Sequence, residues 1–145
     1  YLCNDRNNSG RFSGRFFCVL VQGGRELNNF QISKHFNLRE FQSPDTGEVK
    51  IDSKLIEKLE LLRQQIGRPV IINSGYRTPE HNAKVGGSKN SLHVQGKAVD
   101  IRKVEGLTID EMAELAEEIG FDGIGKYNWG IHVDVRGYKA RWDER

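Results

Sequence analysis

His93, Asp100 and His132 have the residue types and the spacing from which a metal site can be built. The first two lie in Ser91-Leu92-His93-Val94-Gln95-Gly96-Lys97-Ala98-Val99-Asp100, and the third lies in Gly130-Ile131-His132-Val133-Asp134. Two imidazole nitrogens and one carboxylate oxygen suit zinc. Three protein ligands leave one tetrahedral position open, which a hydrolytic zinc needs and a purely structural zinc lacks. A lone histidine is more often a satisfied polar residue than a ligand. The joint pattern, Ser-x-His-x-x-Gly-x-Ala-x-Asp followed by His-x-Asp, is improbable as decoration.

A second stretch, Ser74-Gly75-Tyr76-Arg77-Thr78-Pro79-Glu80-His81-Asn82, follows an apolar run and opens a short helix. The planar fork of Arg77 matches a carboxylate through two parallel hydrogen bonds. Its plainer reading is a structural salt bridge.

The elements that must position these residues follow from periodicity and punctuation. Residues 97–101 alternate as a strand, so Ala98 and Asp100 share a face, and a bend at Gly96 would return His93 toward Asp100. His132 and Asp134 share a face in the same way, within a hairpin of 123–126 and 130–135. Leu55, Leu59, Leu62 and Ile66 recur at helical spacing until Gly67 and Pro69 stop them. Asn37 and Thr108 each precede an acid by three positions, the mark of a capping box. Thr78-Pro79 opens a brief helix through about Val85. Ser43 to Gly47 reads as a turn, and Val70-Ile71-Ile72 as a short buried strand. Helices and short strands mix without a βαβ rhythm. This predicts an α+β fold, a small antiparallel sheet flanked by helices.

The chain's 145 residues suit one compact domain, and 37% hydrophobic content is ordinary. A net charge of +2 gives no basis for nucleic-acid binding, and no apolar run reaches membrane-spanning length. Residues 1–30 differ from the rest. A polar tract rich in Asn, Arg, Gly and Ser leads to the apolar run Phe16 to Val21, then to Gly23-Gly24. This reads as an appended arm or short hairpin ahead of a domain over 31–145. The chain begins at Tyr1, so a signal peptide or an upstream domain is allowed for. A bridge between Cys3 and Cys18 would be compatible with an oxidising compartment.

Together the motifs resemble the zinc D-alanyl-D-alanine carboxypeptidase family, peptidoglycan peptidases of bacteria and phage endolysins. The quoted residues are Ser-Gly-Tyr-Arg-Thr-Pro-Glu-His-Asn, Val-Gly-Gly, Ser-x-His-x-x-Gly-x-Ala-x-Asp-Ile and Gly-Ile-His-Val-Asp-Val-Arg-Gly. The middle motif is also similar to the signalling domain of hedgehog proteins, which shares that zinc fold. The resemblance runs from about Ile32 to Trp142. It implies one Zn2+ per chain held by His93, Asp100 and His132, with Arg77 and Ser91 binding substrate. It implies peptidoglycan stem peptides as partners and a periplasmic, extracellular or phage-encoded enzyme acting on the cell wall. Many members place a catalytic base two or three positions before the last ligand, where this chain has Gly130 and Trp129. The nearest carboxylate is Asp134, which would either act as the base or orient a zinc-bound imidazole from behind. Tyr127, His81 and Glu80 are weaker candidates. Two functions compete: a peptidase, and a zinc-containing cell-wall or protein binding module that does not turn over.

Overall fold

The computed structural model describes Phe16–Val19 and residues 28–145. Among these described residues, seven strands and three helices follow in the order β1 (Phe16–Val19), β2 (Val49–Asp52), α1 (Ser53–Ile66), β3 (Ile72–Ser74), α2 (Pro79–Lys84), β4 (Ala98–Arg102), α3 (Ile109–Ile119), β5 (Gly123–Tyr127), β6 (Gly130–Asp134) and β7 (Ala140–Asp143). A 3-10 turn, Leu38–Phe41, precedes β2 and carries the expected Asn37–Glu40 capping box.

The fold is α+β, as the sequence leads one to expect. Five strands form one sheet in the order β3-β4-β6-β5-β7. The sheet is mixed rather than wholly antiparallel, because β7 runs parallel to β5. Residues 135–139 reverse the chain after β6 and carry it past β5 to that strand's outer edge. The apolar run at 70–72 also departs from expectation. The strand begins only at Ile72, Val70 is buried without belonging to it, and Ile71 is 47% exposed. This is an edge strand with an irregular register against β4, so apolar content alone marked its place poorly.

Helix α1 is capped by Asp52, whose carboxylate accepts the Lys54 N–H, and it ends at left-handed Gly67. Helix α3 has the full Thr108–Glu111 capping box and ends at Gly120. Their apolar stripes, Leu55, Leu59 and Leu62 on α1 and Met112, Ala113 and Ala116 on α3, pack with Val99, Ile101, Ile124, Ile131 and Val133 of the sheet. Alternation then decides the rest. If Val99 and Ile101 of β4 face the helices, Ala98 and Asp100 face away. If Ile131 and Val133 of β6 do so, His132 and Asp134 face away with them.

Strand β1 pairs antiparallel with β2, so this part of the arm joins the domain through a strand. Cys3, and hence the question of a bridge to Cys18, lies outside the described residues. Strand β2 in turn backs the turn between His93 and Asp100. Asp52 N–H donates to the Gly96 carbonyl at 2.8 Å. Gly96 has φ +69°, and a Cβ there would stand 2.4 Å from the Lys50 carbonyl oxygen. Only glycine meets both demands.

At Gly130, the start of β6, a Cβ would stand 1.9 Å from the carbonyl oxygen of Ile101 across the strand pair. Backbone cannot yield as a side-chain tip does. Gly130→Ala is expected to cost about 3 kcal/mol through overpacking, measured by denaturant unfolding. Wild-type stability in that variant would contradict the β4–β6 pairing.

Candidate metal centre

Asp100 sits at the middle of β4, directly opposite His132 of β6 in the antiparallel ladder. His93 comes from the tight turn before β4. In that turn Gly96 N–H bonds to the His93 carbonyl and Lys97 N–H to the Leu92 carbonyl. The side chains meet at Asp100 Oδ1, which lies 3.3 Å from His93 Nε2 and 2.9 Å from His132 Nδ1. One ligand atom from each of the three residues lies within 4.8 Å of the others.

These residues fit a zinc ion. Ligands about 2.0–2.1 Å from a tetrahedral ion stand about 3.3 Å apart, close to the two spacings at Asp100 Oδ1. His93 Nδ1 bonds to the Gly75 carbonyl at 2.8 Å, so that nitrogen donates and Nε2 is the one presented to an ion. His132 is held the opposite way round. Its Nε2 donates to Asp134 Oδ2 at 3.1 Å, leaving Nδ1 toward Asp100. Burial alone would raise the Asp100 pKa, but the imidazoles of His132 and His93 outweigh it and hold the carboxyl well below its usual range. Burial would lower the His132 pKa, and the carboxylates of Asp100 and Asp134 at its two nitrogens push it up instead. Asp100 is thus ionised at neutral pH, the state in which a carboxylate ligates.

Arg77 and Ser91 also reach this place. Arg77 Nη2 donates to Asp100 Oδ2 at 2.8 Å and its Nε donates to Ser74 Oγ at 2.8 Å. The salt bridge allowed for in the sequence is therefore present, and its partner is a member of the histidine–aspartate cluster. The loop carrying Arg77 is pinned by Thr78, which caps α2 and donates through its hydroxyl to Asp45 at 2.6 Å. The Ser91 hydroxyl accepts the His93 N–H at 3.3 Å. Arg77, Ser91, His93, Asp100 and His132 all line one open cleft of about 730 Å³.

Asp134 is different. Its side chain is fully buried, behind the His132 ring rather than along the cleft. Arg136 grips it from the other side, with Nε 2.9 Å from Oδ1 and Nη2 2.6 Å from Oδ2. Burial would raise the Asp134 pKa, but His132 and Arg136 bring it down to about 2. Room for this carboxylate comes from Gly123, directly opposite on β5, where a Cβ would stand 2.0 Å from Asp134 Oδ2. Of the weaker candidates, Tyr127 lines the cleft and its hydroxyl accepts the Trp142 Nε1–H at 2.8 Å. His81 lines a neighbouring hollow beside Arg77, and Glu80 is exposed on α2. At position 130 no side chain fits, and Trp129 stacks on Tyr127 with ring centroids 4.8 Å apart.

Three features escape the sequence reading. The Gly75 carbonyl selects the His93 nitrogen, and Trp142 packs 5.2 Å from the His132 ring across Gly125. Arg136 is the third. The alternation His132, Asp134, Arg136 and the small residues Gly123 and Gly125 were visible signals for part of this. The arrival of β7 from the far side of β5 had no local signal.

The comparisons agree with the geometry. A family model described as Peptidase M15 matches residues 31–135. A probable peptidoglycan L,D-endopeptidase, MepK, of Haemophilus influenzae is 29% identical over 131 residues, covering 78% of this chain and 70% of that protein. The zinc D-Ala-D-Ala carboxypeptidase of Streptomyces albus G is 40% identical over 45 residues, only 30% of this chain and 18% of that protein. With a family match that spans most of its length and a histidine–aspartate–histidine cluster opening on a cleft, the chain belongs to the peptidase M15 family.

Proposed function

We propose that the protein is a zinc-dependent peptidase that hydrolyses a peptide bond in the peptidoglycan stem, as a D-Ala-D-Ala carboxypeptidase or an endopeptidase. The observation that carries this reading is the convergence of His93 Nε2, Asp100 Oδ1 and His132 Nδ1 on the wall of an open cleft. Membership of a peptidase family and the printed activities of the two relatives support it. The peptidase domain is taken as residues 31–145. A zinc ion held by those three atoms supplies a Lewis acid for a carbonyl and a water made nucleophilic at neutral pH.

The chain's own residues have separable tasks. His93 and His132 are pre-oriented by hydrogen bonds at their outer nitrogens, which keeps each ring in the tautomer that ligates. Asp100 gives one oxygen to the metal position and the other to Arg77. Arg77 steadies that carboxylate and presents its guanidinium along the cleft, where a substrate carboxylate or carbonyl can be bound. Ser91 offers a hydroxyl to the same substrate. Asp134 serves as the orienter of His132, because a carboxylate bonded to Nε2 stands across the ring from an ion on Nδ1. Among the described residues lining the cleft, Asp100 is the only carboxylate, and beyond the ligands the titratable groups are Tyr127, Tyr138, Arg77 and Arg136. That observation keeps the second reading in view, a zinc module that binds cell wall without cleaving it. Incubation with purified peptidoglycan and with defined stem peptides separates the two. Chelator-sensitive release of peptide fragments identifies the peptidase and the bond, and binding without release identifies the module.

Treatment with a chelator is expected to abolish hydrolysis and zinc to restore it. His132→Ala should lose most metal and all activity. Stoichiometric zinc retained in the alanine variants of His93, Asp100 and His132 alike would end the assignment. Arg77→Ala at saturating zinc should lose about two orders of magnitude in turnover through misplaced substrate. Arg77→Lys should also be poor, since a point charge cannot replace the fork. An Arg77→Ala protein that unfolds easily but keeps its turnover per folded molecule would make Arg77 purely structural. Asp134→Asn should weaken zinc about 10- to 100-fold, with activity partly recovered in excess zinc. Normal zinc affinity with a loss of two or more orders of magnitude in turnover would instead make Asp134 the base.

A further inference from the structure

We propose that Arg136 is a positioning residue of the metal centre, clamping Asp134 and Trp142 so that together they fix the His132 ring. This rests on the reading of His93, Asp100 and His132 as a zinc site. Arg136 belongs to neither the ligand set nor the residues expected to bind substrate, yet it touches both supports of one ligand. Its guanidinium spans the Asp134 carboxylate, with Nε 2.9 Å from Oδ1 and 3.1 Å from Oδ2, and Nη2 2.6 Å from Oδ2. Its backbone N–H adds a bond to Oδ1 at 3.2 Å. This is the bidentate pairing that fixes a carboxylate in plane as well as in place. The same guanidinium lies 5.3 Å from the centre of the Trp142 ring, within cation–π range.

Both clamped groups act on His132. Asp134 holds the Nε2 edge, and Trp142 packs against the ring. A histidine that ligates through Nδ1 must keep its Nε2 proton and a fixed ring angle, or the third ligand swings away from the other two. Asp134 is fully buried, and among the described residues its side chain is bonded to His132 and Arg136 alone. When His132 is a neutral ligand, Arg136 is the cation left beside that carboxylate. Without it, the carboxylate would be a buried ion without a counter-charge, free to leave the geometry that orients the imidazole. The Nε and Nη2 donors are used on Asp134, although Arg136 borders the cleft and its guanidinium also lies 5.5 Å from the centre of the Tyr138 ring.

The test is zinc affinity, measured by competition with a chromophoric chelator on the full chain and normalised to folded protein. The variants are Arg136→Ala, Arg136→Lys, Asp134→Asn and the double variant Asp134→Asn/Arg136→Ala. Arg136→Ala should bind zinc about 10-fold or more weakly. Arg136→Lys keeps a cation and an alkyl stem near Trp142 without the fork, and should show a several-fold loss. If Arg136 works through Asp134, adding Arg136→Ala to Asp134→Asn should cost less than about twofold further. Wild-type zinc affinity in folded Arg136→Ala would overturn the proposal. So would an equally large loss in the Asp134→Asn background, or a raised KM at saturating zinc with normal zinc affinity, which would make Arg136 a substrate contact. Should Arg136→Ala not fold, Arg136→Lys carries the decision, and unchanged zinc affinity there overturns the proposal. Zinc binding is read without substrate, so a wild type that binds zinc but cleaves no peptidoglycan would refute the peptidase reading and leave this result standing. A wild type that binds no zinc would refute both.

Discussion

The pairing of β4 with β6 sets Asp100 directly opposite His132, and every other part of the site is arranged around that register. A shift of one residue would turn Asp100 into the helix-packed core and bring Ile101 to the cleft. The core prevents this. Val99 and Ile101 on one strand and Val133 and Ile131 on the other are buried together against α1 and α3. The hydrophobic pattern that builds the core is thus the same pattern that places the charged groups. The close approach of Gly130 to the Ile101 carbonyl adds a second constraint at the strand end.

Placing ionised groups in a half-buried wall is costly unless each is matched. Asp100 is matched on both oxygens, Oδ1 by the two imidazoles and Oδ2 by Arg77. Asp134 is matched by His132 and Arg136. The chain of contacts therefore runs from Arg77 through Asp100 and His132 to Asp134 and Arg136, with each carboxylate held between an arginine and the His132 ring. It leaves His93 Nε2, Asp100 Oδ1 and His132 Nδ1 facing one another. Two glycines on the cleft face of β5 make space for this, Gly123 beneath Asp134 and Gly125 beneath Trp142. Side chains at either place would displace a support of His132.

Much of the centre was legible because its signals are local. The His93–Asp100 turn, the Gly96 bend, the shared face of His132 and Asp134 and the capped helices all follow from residue type and period. The resemblance of the motifs to a zinc peptidase family points the same way as the family match over residues 31–135. What was not legible depends on long-range placement. Strand β7 pairs in parallel with a strand that ended thirteen residues before it begins, and nothing in Ala140–Asp143 announces its partner. Which face of the imidazole Asp134 would meet was undecidable from a two-residue spacing, since the same alternation serves a base or an orienter. The strand at 72–74 was misplaced toward Val70 because a buried apolar residue beside an edge strand looks like part of it.

In the proposed zinc site His132 ligates through Nδ1 while Asp134 holds Nε2 from behind. A crystal structure of the zinc-soaked protein, with anomalous scattering recorded at the zinc edge, tests it most directly. The expected result is one zinc per chain bonded to His93 Nε2, Asp100 Oδ1 and His132 Nδ1, with the Asp134–His132 bond intact. A zinc found on His132 Nε2, a zinc ligated by Asp134, or no ordered zinc at this place would contradict it.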